Sequence, residues 1–174
     1  MNRPRKLTMA AMSLAMVAGM ATVMLTTMLP ISGAVGQQKA QEADVQRVEA
    51  ASKDFIPAIS ARDIQAMEKL WAHESYATIM GPLSTAIMVG WDGVRKAWEM
   101  RFGQFDRVTI SLPESHVHVN GNVAWAASVE RVQLLRRNGE TLSFDTFATN
   151  VFEKHGDRWL VVSHQATPIF KEPK

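Results

Sequence analysis

Two histidines separated by one residue, His116 and His118, have a spacing that could do chemistry. Residues two apart on a strand project to the same face, an arrangement that some metal sites use. A third ligand would have to come from a neighbouring strand, from a residue such as Glu130 or His164, and no spacing fixes one. A half-exposed polar sheet face accounts for the pair equally, so no metal is assigned. Asp145 is the candidate catalytic group. A buried carboxylate has its proton affinity raised towards neutral pH and can act as a general base, whereas at a sheet end it would simply be solvated. Arg131 could anchor an anionic ligand group through its fork of donors. Trp71, Trp98 and Trp125, with Tyr76 and Met80, can line an apolar cavity, and Thr149 and Gln165 offer polar groups on adjoining strand faces. The alternative for the tryptophans is that they fill the core.

The elements that position these residues are legible from turns and periodicity. Asn120-Gly121 and Asn138-Gly139 are hairpin dipeptides that supply positive φ angles, and His155-Gly156-Asp157 is a third turn. Between them lie a strand ending at Val119, a strand over 123–135, a strand from Thr141 to about Lys154, and a last strand over 159–167. Strands of this length joined by short turns make an antiparallel meander that twists and curls, leaving a concave side. Upstream, Val45, Val48, Phe55, Ile56 and Ile59 share one face of a helical period, with Pro57 expected to bend or end the helix. Asp63 is placed to cap a second helix burying Ile64, Met67, Leu70 and Trp71. Residues 76–80 read as a short strand or lip. A third helix is expected from an N-cap at Asp92, with Val94, Ala97, Trp98, Phe102 and Phe105 inward and a glycine cap at Gly103. Helices gathered on one face of an antiparallel sheet define an α+β fold. The expectation is a cone-like curved antiparallel sheet with three N-terminal helices on its concave face, and a pocket where they do not fill it.

Charge and composition limit the functional classes. The chain has 174 residues, no cysteine, 19 basic and 17 acidic residues, so thiolate metal sites and disulfides are excluded. Three of the basic residues, Arg3, Arg5 and Lys6, lie in the first 34 with no acid, leaving 16 basic against 17 acidic afterwards. That balance, without a basic cluster, argues against nucleic-acid binding. The uncharged run from Leu7 to Leu29, followed by Pro30 and Ser32-Gly-Ala34, has the three-part layout of a signal peptide at 1–34. The alternative is a retained membrane anchor, and by the positive-inside rule either one places the domain outside. Residues 35–43 lack an apolar pattern and read as a linker, 44–170 as the domain and 171–174 as a tail.

The element order, together with Ala61-Arg-Asp63, Gly90-Trp-Asp-Gly-Val-Arg95, Gly121-Asn-Val-Ala-Trp125 and Gly156-Asp-Arg-Trp-Leu-Val-Val162, resembles the SnoaL-like domains of the nuclear transport factor 2-like superfamily, relatives of ketosteroid isomerase. The resemblance implies that Trp159, Ser163, Gln165 and Thr167 look into the pocket, with Ser163 and Gln165 where the family often carries histidines. It also implies that His164 points to the convex face, where such domains pair sheet to sheet. A histidine there would make dimerisation sensitive to pH. The ketosteroid isomerase mechanism does not carry over residue by residue, because Tyr76 is the single tyrosine and no Asp aligns with the base.

The combined expectation is an exported protein binding a small, mostly apolar or carboxylate-bearing molecule in its pocket, a homodimer through its sheet, with no cofactor implied. A cofactor-free isomerase, dehydratase or hydrolase using a pocket carboxylate is the rival, and a pure dimerisation module is a third possibility. What separates them is whether an ionisable side chain lies deep in the pocket beside a second polar group.

Overall fold

A computed structural model describes residues 31–170. Residues 1–30 of the segment expected to be a signal peptide or anchor (1–34), and the expected tail at 171–174, therefore lie outside the described residues. Among the described residues three helices, α1 (Ile31–Ala61), α2 (Ile64–Leu70) and α3 (Trp91–Gln104), accompany six strands. The strands are β1 (Thr78–Met80), β2 (Met88–Val89), β3 (Phe105–Asn120), β4 (Val123–Arg136), β5 (Thr141–His155) and β6 (Arg158–Pro168). They form one curved sheet in the order β2-β1-β6-β5-β4-β3, antiparallel except where β1 runs parallel to β6. The helices cover its concave side. Among the described residues, no helix is long and apolar enough to cross a membrane.

The hairpins turn where the dipeptides predict, with Gly121 at φ 61° and Gly139 at φ 85°. Val48, Phe55 and Ile59 are buried along one face of α1, packed with Met67, Val94, Trp98 and the inner sheet residues Ala124, Ala126, Phe152 and Trp159 in one core. Asp63 caps α2 as expected, its carboxylate accepting from Gln65 N at 2.9 Å and Ala66 N at 3.0 Å.

Four local expectations are corrected. Residues 35–43 are helical rather than a linker. They belong to α1 and are exposed through Glu42, which explains the missing apolar pattern. Pro57 does not end α1, which continues to Ala61. Its ring is exposed, and the helix closes where Arg62 (φ 56°) turns left-handed and Asp63 N donates to Ala58 O. Gly90 (φ 77°), not Asp92, is the N-cap of α3, and Asp92 sits in the first turn, where a negative charge favours the helix dipole. Gly103 lies near the end of α3 as expected but does not take a left-handed cap conformation, and Phe105 already begins β3.

Two irregularities shape the sheet. On the edge strand β3 the register shifts between Ser111 and Glu114, which accommodates Pro113 where no ladder donor is needed. Between β5 and β6, Val151 pairs with Ser163 but Phe152 pairs with Val161, so Val162 is an extra residue. Trp159 and Val161 face inward before this bulge, and His164 and Ala166 face inward after it.

Candidate functional site

A cavity of about 290 Å³ opens between the concave sheet, α3 and the loop joining β1 to β2. Its apolar wall comes from Trp98 and Phe102 on α3, Val132 and Leu134 on β4, and Phe144 on β5. Pro82, Leu83 and Ser84 from the loop border it, and Ile59 of α1 closes one side. Three ionisable side chains reach it: Arg101, Glu130 and His164.

Each is placed by the pleat. On β4 the inward set is Ala124, Ala126, Ser128, Glu130, Val132 and Leu134, so Glu130 is a carboxylate inside an otherwise small or apolar row. It is 4% exposed and receives a bond from Thr146 Oγ1 at 3.3 Å, its register partner on β5. Burial pushes its carboxyl above the usual carboxylate range, partly offset by the Thr146 hydroxyl and the Arg101 charge. His164, register partner of Asn150, has Nδ1 2.7 Å from Asn150 Oδ1. With that oxygen as acceptor the ring is the Nδ1–H tautomer and the free lone pair is on Nε2. Burial first, then the Arg101 charge, push His164 down to about 3, so it is neutral at physiological pH. Arg101 donates to Ser84 Oγ at 2.8 Å and lies 5.5 Å above the Trp98 ring centre. Its own proton affinity is lowered by burial.

Of the predicted pocket residues, Trp98 lies on the cavity wall. Trp71 is core, packed against Phe55 at 6.2 Å. Met80 is half-buried on β1, away from the lining. Tyr76 is exposed, and its hydroxyl donates to Glu153 Oε2 at 2.6 Å, which pushes the phenol up to about 12. Trp125, Arg131, Asp145, Thr149 and Gln165 belong to the outward phase of the sheet. Trp125 lies in the outward phase of β4, between Ala124 and Ala126, which are fully buried on the inner face. It rests on His118 at 4.5 Å instead. Arg131 and Asp145 are register partners whose Nε and Oδ1 lie 3.3 Å apart, a surface ion pair, so Asp145 is not a pocket base. Gln165 and His164 exchange places relative to expectation because of the Val162 bulge. A third ligand for His116 and His118 is not available from Glu130 or His164, which face the other side, and His116 pairs with Glu114 at 2.8 Å. Among the described residues, no cluster of three or more metal-ligating side chains occurs.

An open, apolar-walled cavity between a curved sheet, α3 and the β1–β2 loop defines a ligand-pocket class of α+β domain. The chain belongs to the SnoaL-like domain family, whose model matches residues 48–170. Solved structures agree. A putative dehydratase from the NTF2-like family of Streptomyces avermitilis superposes with a TM-score of 0.68 at 22% identity, covering 75% of this chain and 99% of that one. An NTF2-like superfamily protein from Salmonella enterica gives 0.70 at 20% identity, covering 76% and 95%. A putative calcium/calmodulin-dependent protein kinase type II association domain from Thiobacillus denitrificans gives 0.59 at 27% identity, covering 70% and 94%. No curated protein matches the chain.

Proposed function

We propose that this chain is an exported enzyme that takes a small, mostly apolar or carboxylate-bearing molecule into the cavity and moves a proton on it without a cofactor, as an isomerase or dehydratase does. The observation that carries the reading is Glu130, a carboxyl 4% exposed on the wall of an apolar cavity beside a second polar group, Thr146. Burial moves this carboxyl upward from the usual carboxylate range, the direction that suits a general acid–base group. His164, held at about 3, is too weak a base for that task and serves as a neutral acceptor through Nε2, fixed by Asn150. The dehydratase description of the Streptomyces relative supports the same reaction class. Export is supported by the charge layout of the first 34 residues, and sequencing the N-terminus of the secreted chain tests it. A homodimer through the outer sheet face is supported by the exposure of Val123, Trp125 and Phe147 there.

The test is a thermal-shift screen of the full chain against small hydroxy acids, enones and ketones, followed by turnover of the hits. Glu130→Gln should still bind the hit and lose turnover by about 10²- to 10⁴-fold, the usual worth of a general acid–base group. Turnover at the wild-type rate in that variant would remove the proposal.

A further inference from the structure

Arg101 is an unusual cation for a cavity wall. It extends from α3 to the cavity rim, its guanidinium packs against Gly81 in the space where a Cβ would stand, and it lies over Trp98. One donor bonds Ser84 Oγ at 2.8 Å, and Ser84 is held in turn by Gly81, whose N–H donates to Ser84 Oγ at 3.0 Å. Ser84 N closes the same turn onto Gly81 O at 2.9 Å. The seat is thus built from both sides, by a glycine that leaves room and a serine that fixes the plane of the fork. Among the described residues Arg101 makes no ion pair within 4 Å, and Ser84 Oγ is the one protein acceptor of its side chain. Among the described residues Glu130 is the one carboxylate lining the cavity, and it is hydrogen-bonded to Thr146 rather than to Arg101.

A partly desolvated guanidinium with free, coplanar donors is built for a planar anion that accepts two parallel bonds. We propose that Arg101, seated on Gly81 and oriented by Ser84, is the anchor for a carboxylate on the cavity's ligand. The substrate is then a small carboxylic acid whose apolar body lies against Trp98, Phe102 and Phe144. The inference rests on reading the cavity as a small-molecule site and adds the chemical class that the site selects. Anchoring the acid at the rim leaves the far end of the molecule directed inward, towards the Glu130 and His164 walls. No bond to the substrate is made or broken by Arg101, which is a specificity residue.

The experiment uses the full chain and a shape-matched pair of probes, phenylacetate and its neutral isostere phenylacetamide, with affinities measured by calorimetry. Wild type should bind the acid at least about 10-fold more tightly than the amide, the smaller end of what a charge-assisted pair contributes. Arg101→Met, which keeps the apolar stem, should abolish that preference while leaving amide binding within about 2-fold, because only the charged fork is removed. Ser84→Ala, distant from the core, provides a second variant if Arg101→Met folds poorly, and should reduce the acid preference several-fold. Equal binding of acid and amide by wild type, or an acid preference unchanged in both variants, overturns the anchor while the cavity reading stands. Failure of wild type to bind either probe counts against the cavity reading and removes the anchor with it.

Discussion

His164 gives the sharpest test of the site's electrostatics. It is 3% exposed, with Phe55 at 5.6 Å and Trp98 at 6.0 Å from its ring. Burial, and secondarily the charge on Arg101, lower its pKa from 6.5 to about 3. For a base whose folded value is depressed, the unfolded chain takes up the proton first. Stability is therefore lost as pH falls from 6.5 towards 3, and the loss is complete below that window. Each unit corresponds to about 1.4 kcal/mol, so the fold should lose about 2 kcal/mol through this group between pH 7 and pH 5. That is a large part of the stability of a small domain. Glu130 acts with the opposite sign. Its raised value costs stability as pH climbs past the ordinary carboxyl range, so the raw profile mixes both groups. Comparing wild type with His164→Gln by urea unfolding at the two pH values removes the Glu130 contribution, which is common to both chains. The stability advantage of wild type should shrink by about 2 kcal/mol at the lower pH. A gap that stays constant to within about 0.5 kcal/mol would mean that the imidazole is hydrated or already charged, and the dry cavity wall argued above would be wrong.

Two further outcomes follow from other contacts. Asp44 ties α1 to the sheet by accepting from Lys154 Nζ at 2.7 Å, Trp159 Nε1 at 3.3 Å and Arg47 Nη1 at 3.2 Å. Asp44→Ala strands the buried indole N–H and should cost about 2–3 kcal/mol in urea unfolding. The Lys154 bond holds its carboxyl below the usual value, so the wild-type advantage should persist above the ordinary carboxylate range and fade as pH drops through the lowered value. On the outer face, Trp125 and Phe147 are 40% and 61% exposed. Replacing both by Lys should convert the proposed dimer to a monomer in sedimentation, and a wild-type chain that sediments as a monomer would dispose of the dimer.

The fold was legible because its signals are local. Positive φ at an Asn-Gly dipeptide fixes a hairpin wherever it occurs, and the helical period of Val48, Phe55 and Ile59 names the face that must be covered. The three corrections at helix ends concern residues whose local preference was outweighed. Pro57 is tolerated because it is exposed, and Gly103 stays helical because the strand begins only at Phe105. The site was less legible, since the inner face of β4 was assigned by its largest side chain, Trp125. The better signal was the row Ala124, Ala126, Val132 and Leu134, whose phase carries Glu130 inward with it.

The remaining error has one cause with consequences for chemistry. Counting by twos from Trp159 brings Ser163 and Gln165 to the pocket, and a single unpaired residue, Val162, reverses that for everything after it. Periodicity cannot show such a bulge, because both Val161 and Val162 are apolar and both end up buried. The bulge is what brings His164 opposite Asn150 on the inner face, and Ile79 of β1 alongside it. Without it, Gln165 would face the cavity and the imidazole would lie outside, next to solvent. The neutral histidine beside Arg101 is therefore a product of register rather than of composition. The same reasoning turns the expected pH-sensitive interface inward: the titration of His164 is a property of the cavity and the core, and any dimer formed by the outer face does not depend on it.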